Sequence, residues 1–291
     1  MSGEYSYDAS VKSGISDELI NTYLMRPIAG LLVRALYKTR VTPNQVTFGA
    51  ALFGFAAAVL YASGTPLRTA AAGLFLSAKD MLDSADGQLA RAKGMFSRAG
   101  RFLDSIGDIA VNFSVCAANA AAAISGGAGA WAGAAWGAAF LCISLRVSYH
   151  VFYQTSFLHL RSAYSGNRTS EEIRTEDMEG DARALLLQRM FLVLYGWQDA
   201  LMTALDRWCR RGLPAGTETD HLWYGDVRGV RLSGFLGLGT ELFLLMLCSV
   251  TGTLGLYLVL NLGVMNAFWA ACVGYRRRIL RARLARAQQR G

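Results

Sequence analysis

The stretch VTFGAALFGFAAAVLYAS, residues 46–63, holds no charged side chain over eighteen positions. Wound as an α-helix it rises about 27 Å, close to the hydrocarbon thickness of a bilayer. A run of this length that is apolar on every face has no polar side to turn toward water, so it reads as a membrane span. Further apolar runs follow at residues 69–78, 102–124, 127–153, 232–253 and 254–275. The second passes into Lys79 and Asp80 in the same helical register. The third carries Asp104 and Asp108 near its start, the fourth Arg146 and His150 near its end, and the fifth only Glu241. The expected fold is all-α, a polytopic membrane helix bundle with six transmembrane helices. The tight turn near residues 251–253 makes the last two a hairpin. Alanine and glycine dominate the third and fourth, which lets helices approach closely.

Composition agrees. Of 291 residues, 53% are hydrophobic and 17% charged, fewer charges than the quarter or so of a soluble globular chain, and the mean hydropathy is +0.27. This excludes a disordered chain, a collagen-like chain and a charged coiled coil. Five cysteines without a CxxC pair suggest neither a disulfide framework nor a zinc site. The net charge is +8, and its distribution decides what it means. Lys and Arg gather before the first span (Lys12, Arg26, Arg34, Lys38, Arg40), between spans two and three (Arg91, Lys93, Arg98, Arg101), along the link between spans four and five, and in the tail from Arg276 to Arg290. The opposite links have only Arg68 near them. Six spans with both termini in the cytoplasm satisfy the positive-inside rule, and the basic face belongs to a membrane surface rather than to nucleic acid.

The chain divides on this reading into an N-terminal segment with an interfacial amphipathic helix (1–40), spans one to four (41–156), a cytoplasmic insertion (157–230), spans five and six (231–275) and a basic cytoplasmic tail (276–291). Residues 1–18 are polar and do not form a signal peptide. From Ser16, apolar residues recur at helical spacing with basic residues between them, and Pro27 is expected to kink that helix. Within the insertion, residues 165–181 read as a polar, acidic loop holding the sequon Asn167-Arg168-Thr169. Residues 182–208 read as an amphipathic helix on the membrane surface. The tail reads as a basic helix on the anionic leaflet.

Chemistry is concentrated in Asp83-Ser-Ala-Asp86-Gly87-Gln-Leu-Ala90-Arg91 and, after eight residues, Gly100-Arg-Phe-Leu-Asp104-Ser-Ile-Gly-Asp108. Spacings of three and four place each Asp pair on one helix face. Gly87 and Gly100 leave gaps on those faces where a ligand can reach the backbone. Two consecutive antiparallel helices bring four carboxylates together at the membrane boundary. Bare, they would repel one another; divalent cations resolve this, and oxygen-only ligands favour Mg²⁺ or Mn²⁺. Two such ions suit phosphoryl transfer, because they neutralise a diphosphate and its leaving oxygen. The competing explanation is an ion network of these aspartates with Lys79, Arg91, Arg98 or Arg101.

The motif Asp-x2-Asp-Gly-x2-Ala-Arg-x8-Gly-x3-Asp-x3-Asp resembles the signature of the CDP-alcohol phosphotransferases, matched at Asp83, Asp86, Gly87, Ala90, Arg91, Gly100, Asp104 and Asp108. The six-span topology, the interfacial helix and the lead-in Thr42-Pro43-Asn44-Gln45-Val46-Thr47 are similar to that family too; the insertion at 157–230 departs from its short bacterial members. The resemblance implies an integral membrane transferase of phospholipid synthesis in which a CDP-linked alcohol donates its phospho-alcohol group to a hydroxyl and CMP leaves. It implies two divalent metals on Asp83, Asp86, Asp104 and Asp108, with Asp108 also the candidate base. Gly87, Ala90 and Gly100 would line the cytidine pocket, Arg91 would sit near the diphosphate or the carboxylates, and Asn44 near the nucleotide. It also implies a homodimer. His150, near neutral in pKa, is a candidate base for a lipid hydroxyl, and His150-Val-Phe-Tyr-Gln-Thr-Ser is similar to a region of the choline/ethanolamine phosphotransferases that use diacylglycerol. The alternative is CDP-diacylglycerol with a soluble acceptor (glycerol phosphate, inositol phosphate or serine), which needs a cationic pocket if the acceptor carries phosphate. A non-catalytic transporter or scaffold is the remote alternative.

Overall fold

A computed structural model describes Tyr7, Glu18, residues 20–160, Ile173 and residues 181–288. The expected polar loop at 165–181, its sequon and nearly all of residues 1–18 lie outside the described residues. Every regular element among the described residues is helical. A π-helical turn, Asn21–Met25, leads directly into α1 (Arg26–Leu36), and Pro27, which has no N–H to give the preceding turn, stands where the register changes from π to α. Next come α2 (Pro43–Ala62), α3 (Pro66–Lys93), α4 (Arg98–Ala123, prolonged by a π-helical turn to Ala128) and α5 (Ala130–Leu160). The insertion contributes α6 (Ala182–Arg210), α7 (Thr217–Tyr224) and α8 (Val227–Ser233). The chain then makes α9 (Leu238–Val250), α10 (Leu254–Val259), α11 (Asn266–Gly274) and α12 (Arg281–Gln288), the last three joined through π-helical segments at Leu260–Met265 and Tyr275–Leu280.

Among the described residues, five helices are long and apolar enough to cross a membrane: Pro43–Ala62, Arg98–Ala128, Ala130–Leu160, Val227–Val250 and Leu254–Arg286. Helix α3 has the length for a sixth at 28 residues, but Lys79, Asp80, Asp83 and Asp86 lower its hydropathy. The bundle is apolar outside as well as inside. Phe48, Leu52, Val59, Leu67, Leu74, Phe113, Trp131, Leu141, Leu256 and Val264 all stand exposed, an arrangement that water would penalise and acyl chains do not.

Close helix contact follows from small residues. A Cβ on Gly54 would fall 2.5 Å from Val111 Cγ1, so α2 and α4 touch there, and one on Gly73 would fall 2.8 Å from Ser249 Cβ, so α3 and α9 touch there. Helix α2 packs along both α3 and α4, whereas α3 and α4 do not pack along one another. The two motif helices are joined by a short turn yet held apart by α2, and a cleft runs between them. Gly94, in the left-handed region at φ 66°, ends α3. Ser97 starts α4 by accepting from the Gly100 N–H at 2.9 Å.

Helix α6 crosses the bundle instead of running along it. The antiparallel α4 and α5 are registered by the edge-on pair Phe113–Phe140. Phe191 packs at a tilt against Phe102 and the Tyr195 hydroxyl donates to Ser105 O at 2.7 Å on α4; Gln198 bonds Ser148 and Asp206 bonds the Tyr153 hydroxyl on α5. By that register these partners all lie at one depth. The outward face of α6 carries Leu186, Met190, Val193, Trp197, Leu201 and Trp208, all exposed, at the i, i+4, i+7 spacing of an apolar stripe.

Candidate active site

Asp83 lies ten residues before the end of α3 and Asp108 ten residues after the start of α4. Across an antiparallel turn these positions reach the same depth, about 15 Å of helix from the turn. One carboxylate oxygen each from Asp83, Asp104 and Asp108 lie within 4.8 Å of one another. The three span the cleft between the motif helices. Asp86, the fourth carboxylate of the motif, lies outside that group: its Oδ2 accepts from the Thr47 hydroxyl of α2 at 2.5 Å. Thr47 was not singled out from the sequence, although it shares the α2 face of Asn44, three residues earlier.

Lys79 enters the same group. It is 2% exposed; its ammonium lies 3.2 Å from Asp83 Oδ2 and donates also to Asp108 Oδ1 across the cleft. Of the four cations weighed as partners, Lys79 therefore does pair with the motif aspartates. It does not balance them. Five carboxylates, those of Asp80, Asp83, Asp86, Asp104 and Asp108, lie near enough to feel its single charge. Asp104 Oδ1 and Asp80 Oδ2 are buried with no hydrogen-bond partner, an expensive state for carboxylate oxygens in a low-dielectric setting. Hard oxygen donors converging from two helices, with a buried carboxylate oxygen of Asp104 lacking a hydrogen-bond partner, fit a hard divalent cation.

The small residues of the motif lie beside this cluster. A Cβ on Gly100 would come within 2.9 Å of Asn44 Oδ1 and 2.8 Å of Ser97 Oγ, so Asn44 and Gly100 are brought together where α2 and α4 begin. Thr42 and Gln45 form a capping box that fixes this start of α2, with bonds of 2.9 and 3.4 Å. The Arg91 guanidinium lies over Gly87, 3.5 Å from where a Cβ would stand. Ala90 is half-buried on the same stretch of α3. Tyr195 reaches the cluster from α6. Burial pushes its hydroxyl above the ordinary tyrosine range, and the nearby carboxylates of Asp108 and Asp104 push it further.

The remaining intramembrane charges are placed elsewhere. Glu241 is paired with Arg146: Arg146 Nε and Nη2 donate to Glu241 Oε1 at 3.0 and 2.5 Å, and Nη1 donates to Asn261 O and Asn266 Oδ1 at 2.9 and 2.6 Å. Asn261 in turn donates to Glu241 Oε2 at 2.9 Å. The carbonyl used by Arg146 sits in the π-helical segment of the last span, where the widened turn frees it. His150, 1% exposed, has its Nδ1 3.2 Å from Ser233 Oγ on α8 and is not one of the clustered acids.

Arg276, read from sequence as the first residue of a surface tail, is buried. Its guanidinium lies 3.5 Å from the Tyr153 ring centroid and 6.0 Å from that of Trp223, and none of its three nitrogens has a hydrogen-bond acceptor. The hydroxyl of Tyr149, whose ring packs 4.9 Å from that of Tyr153, is buried beside this guanidinium. Position at a helix end hid this residue; the signal was its place one turn beyond Cys272 on the buried face of the last span.

Comparison with known proteins adds one match. A family model described as CDP-alcohol phosphatidyltransferase matches residues 40–205, which include α2 to α5 and most of α6. No curated protein matches the chain.

Proposed function

From the premise that this chain belongs to the CDP-alcohol phosphatidyltransferase family, a multi-pass membrane transferase of phospholipid synthesis, we propose that the cleft between α3 and α4 transfers a substituted phosphate group from a CDP-linked alcohol to an acceptor hydroxyl. The acceptor oxygen forms the new P–O bond at the phosphorus bearing the alcohol. The bond from that phosphorus to the CMP oxygen breaks, CMP leaves, and the hydroxyl proton passes to a base. The observation that carries this reading is the convergence of one carboxylate oxygen each from Asp83, Asp104 and Asp108 within 4.8 Å, Asp104 also carrying an oxygen with no hydrogen-bond partner. Asp83, Asp86, Asp104 and Asp108 would hold two divalent cations, Mg²⁺ or Mn²⁺. Bound there, these supply the positive charge that a diphosphate and a departing phosphate oxygen require. Gly87, Ala90, Gly100 and Asn44 form the cytidine side of the cleft, and Arg91 faces the diphosphate. Asp108 accepts the hydroxyl proton.

The primary reading has a lipid hydroxyl, such as that of diacylglycerol, as acceptor, and there His150 replaces Asp108 as the base that takes its proton. It is supported by the apolar surroundings of the site: exposed Met95 and Phe96 at the α3–α4 turn, and a groove of about 390 Å³ between α4, α5 and α6 lined by Ile109, Phe113, Phe140 and Trp197. The second reading, CDP-diacylglycerol with a soluble phosphate-bearing acceptor, is favoured by Arg276, a buried guanidinium with the Tyr149 hydroxyl beside it, a pair of donors that suits an anion. Arg146 is spent on Glu241 and does not serve that purpose.

Both readings place α3 as a sixth span, both termini on the cytoplasmic side, and α1 and α6 in the interface, with the segment boundaries given by the sequence; dimerisation follows from the family alone. The test is CMP release by the purified protein with Mg²⁺, offered CDP-choline or CDP-ethanolamine with diacylglycerol, and separately CDP-diacylglycerol with glycerol phosphate, inositol phosphate or serine. One productive pair selects the reading, and no CMP from any pair ends the proposal. In the second case Arg276→Gln raises KM for the phosphate-bearing acceptor about tenfold or more, the loss of a charge-assisted hydrogen bond. In the first it leaves the lipid acceptor unaffected.

A further inference from the structure

We propose that Lys79 is a built-in counter-cation of the carboxylate cluster, competing with the divalent cation for the same oxygens and so setting the metal affinity of this chain. The inference rests on the metal reading above. Lys79 is not part of the motif that identifies the family. It stands on α3 one turn before Asp83, enclosed at 2% exposure, and its ammonium joins Asp83 of one helix to Asp108 of the other. Those two residues belong to the group of three whose oxygens converge within 4.8 Å. A magnesium ion bound to both would lie about 2.1 Å from each oxygen and would meet the ammonium at close range, out of contact with water. The two cations exclude one another, so the lysine must withdraw as the metal arrives. Its unbranched stem, with four rotatable bonds, allows this.

The cleft explains why such a residue is needed. Helices α3 and α4 do not pack along one another, and acids face each other across the gap. Without a cation between them the carboxylates would drive the motif helices apart. Lys79 holds them in register in the metal-free state, at the cost of weaker metal binding.

Two substitutions with opposite expected signs test this, with Mn²⁺ as the probe. Binding is followed by the electron paramagnetic resonance signal of free Mn²⁺ over the purified full-length protein, and stability by thermal melting in EDTA. Lys79→Gln removes the competing charge and keeps amide donors: Mn²⁺ binding tightens about tenfold or more, while the metal-free protein melts lower. Lys79→Arg keeps the charge and grips carboxylates bidentately, so Mn²⁺ binding weakens. A lysine that merely positions Asp83 and Asp108 for the metal gives the reverse for Gln, and weaker or unchanged binding in Lys79→Gln overturns the inference. If Lys79→Gln does not fold, the Arg variant decides alone, since tighter or unchanged binding there is incompatible with competition. Absence of saturable Mn²⁺ binding in the unsubstituted protein overturns the metal reading itself, an outcome distinct from either variant result.

Discussion

Arg146 with Glu241, and Lys79 with its aspartates, are two groups of charge buried in one bundle, and they are built in opposite ways. In the first, all three guanidinium nitrogens meet acceptors and both Glu241 oxygens accept hydrogen bonds. One cation meets one anion, and α5, α9 and the last span are tied at one point. In the second, Lys79 bonds Asp83 and Asp108 among several neighbouring carboxylates, and Asp104 Oδ1 and Asp80 Oδ2 have no hydrogen-bond partner. Removing two charges from water is costly, and only a complete set of partners offsets that cost. The complete set marks a structural clamp; the incomplete one marks a place that a ligand completes. From sequence the aspartates stood out by their motif, whereas Arg146 and Glu241 were isolated ionisable residues in apolar runs with no partner in view.

The sharpest way to break this contrast is to remove one charge from each group. Asp104→Asn should abolish CMP release, by roughly a thousandfold or more, while the melting temperature holds or rises because repulsion among the carboxylates is relieved. Glu241→Ala should do the reverse. It strands the buried Arg146 and lowers stability by about 3–5 kcal/mol, seen as a large drop in melting temperature in detergent, while the molecules that remain folded keep their turnover. The double substitution Arg146→Met with Glu241→Met should recover most of the lost stability, because it removes both charges and leaves apolar volume. If Asp104→Asn melts as badly as Glu241→Ala, the carboxylate cluster is a structural element and the contrast is lost.

What the sequence disclosed follows the same division. Local spacing is visible in a chain, so the faces of Asp83, Asp86, Asp104 and Asp108, the start of α2 at Thr42-Pro43 and most of the apolar spans were legible. Pairing between distant segments is not. Glu241 was read as alone in its span because its partner lies 95 positions earlier. Arg276 was read as tail because nothing in Tyr-Arg-Arg-Arg reveals that the first arginine turns inward onto Tyr153 while Arg277 caps Trp208 at 3.4 Å. The amphipathic pattern of α6 showed an apolar stripe but not which helices its other face would cross. That face is written in Tyr195, Gln198 and Asp206, polar residues whose partners come from α4, α5 and α7.

The smallest predicted effect sits on that crossing. Tyr195 belongs to the insertion, yet its hydroxyl bonds the carbonyl of Ser105, the residue next to Asp104. A single neutral hydrogen bond of this kind contributes about 1 kcal/mol. Tyr195→Phe keeps the ring and its stacking on Phe191, 4.9 Å away, and removes only that bond. CMP release at saturating Mg²⁺ should fall about fivefold or less, the rate equivalent of that energy, because α4 loses a brace one residue from a carboxylate rather than a group that touches substrate. The initial rate of CMP formation, compared with that of Asp104→Asn in the same preparation, measures it. A loss as deep as that of Asp104→Asn would mean that α6 reaches the reacting atoms, and the boundary of the unbalanced group would then have to be drawn through the insertion.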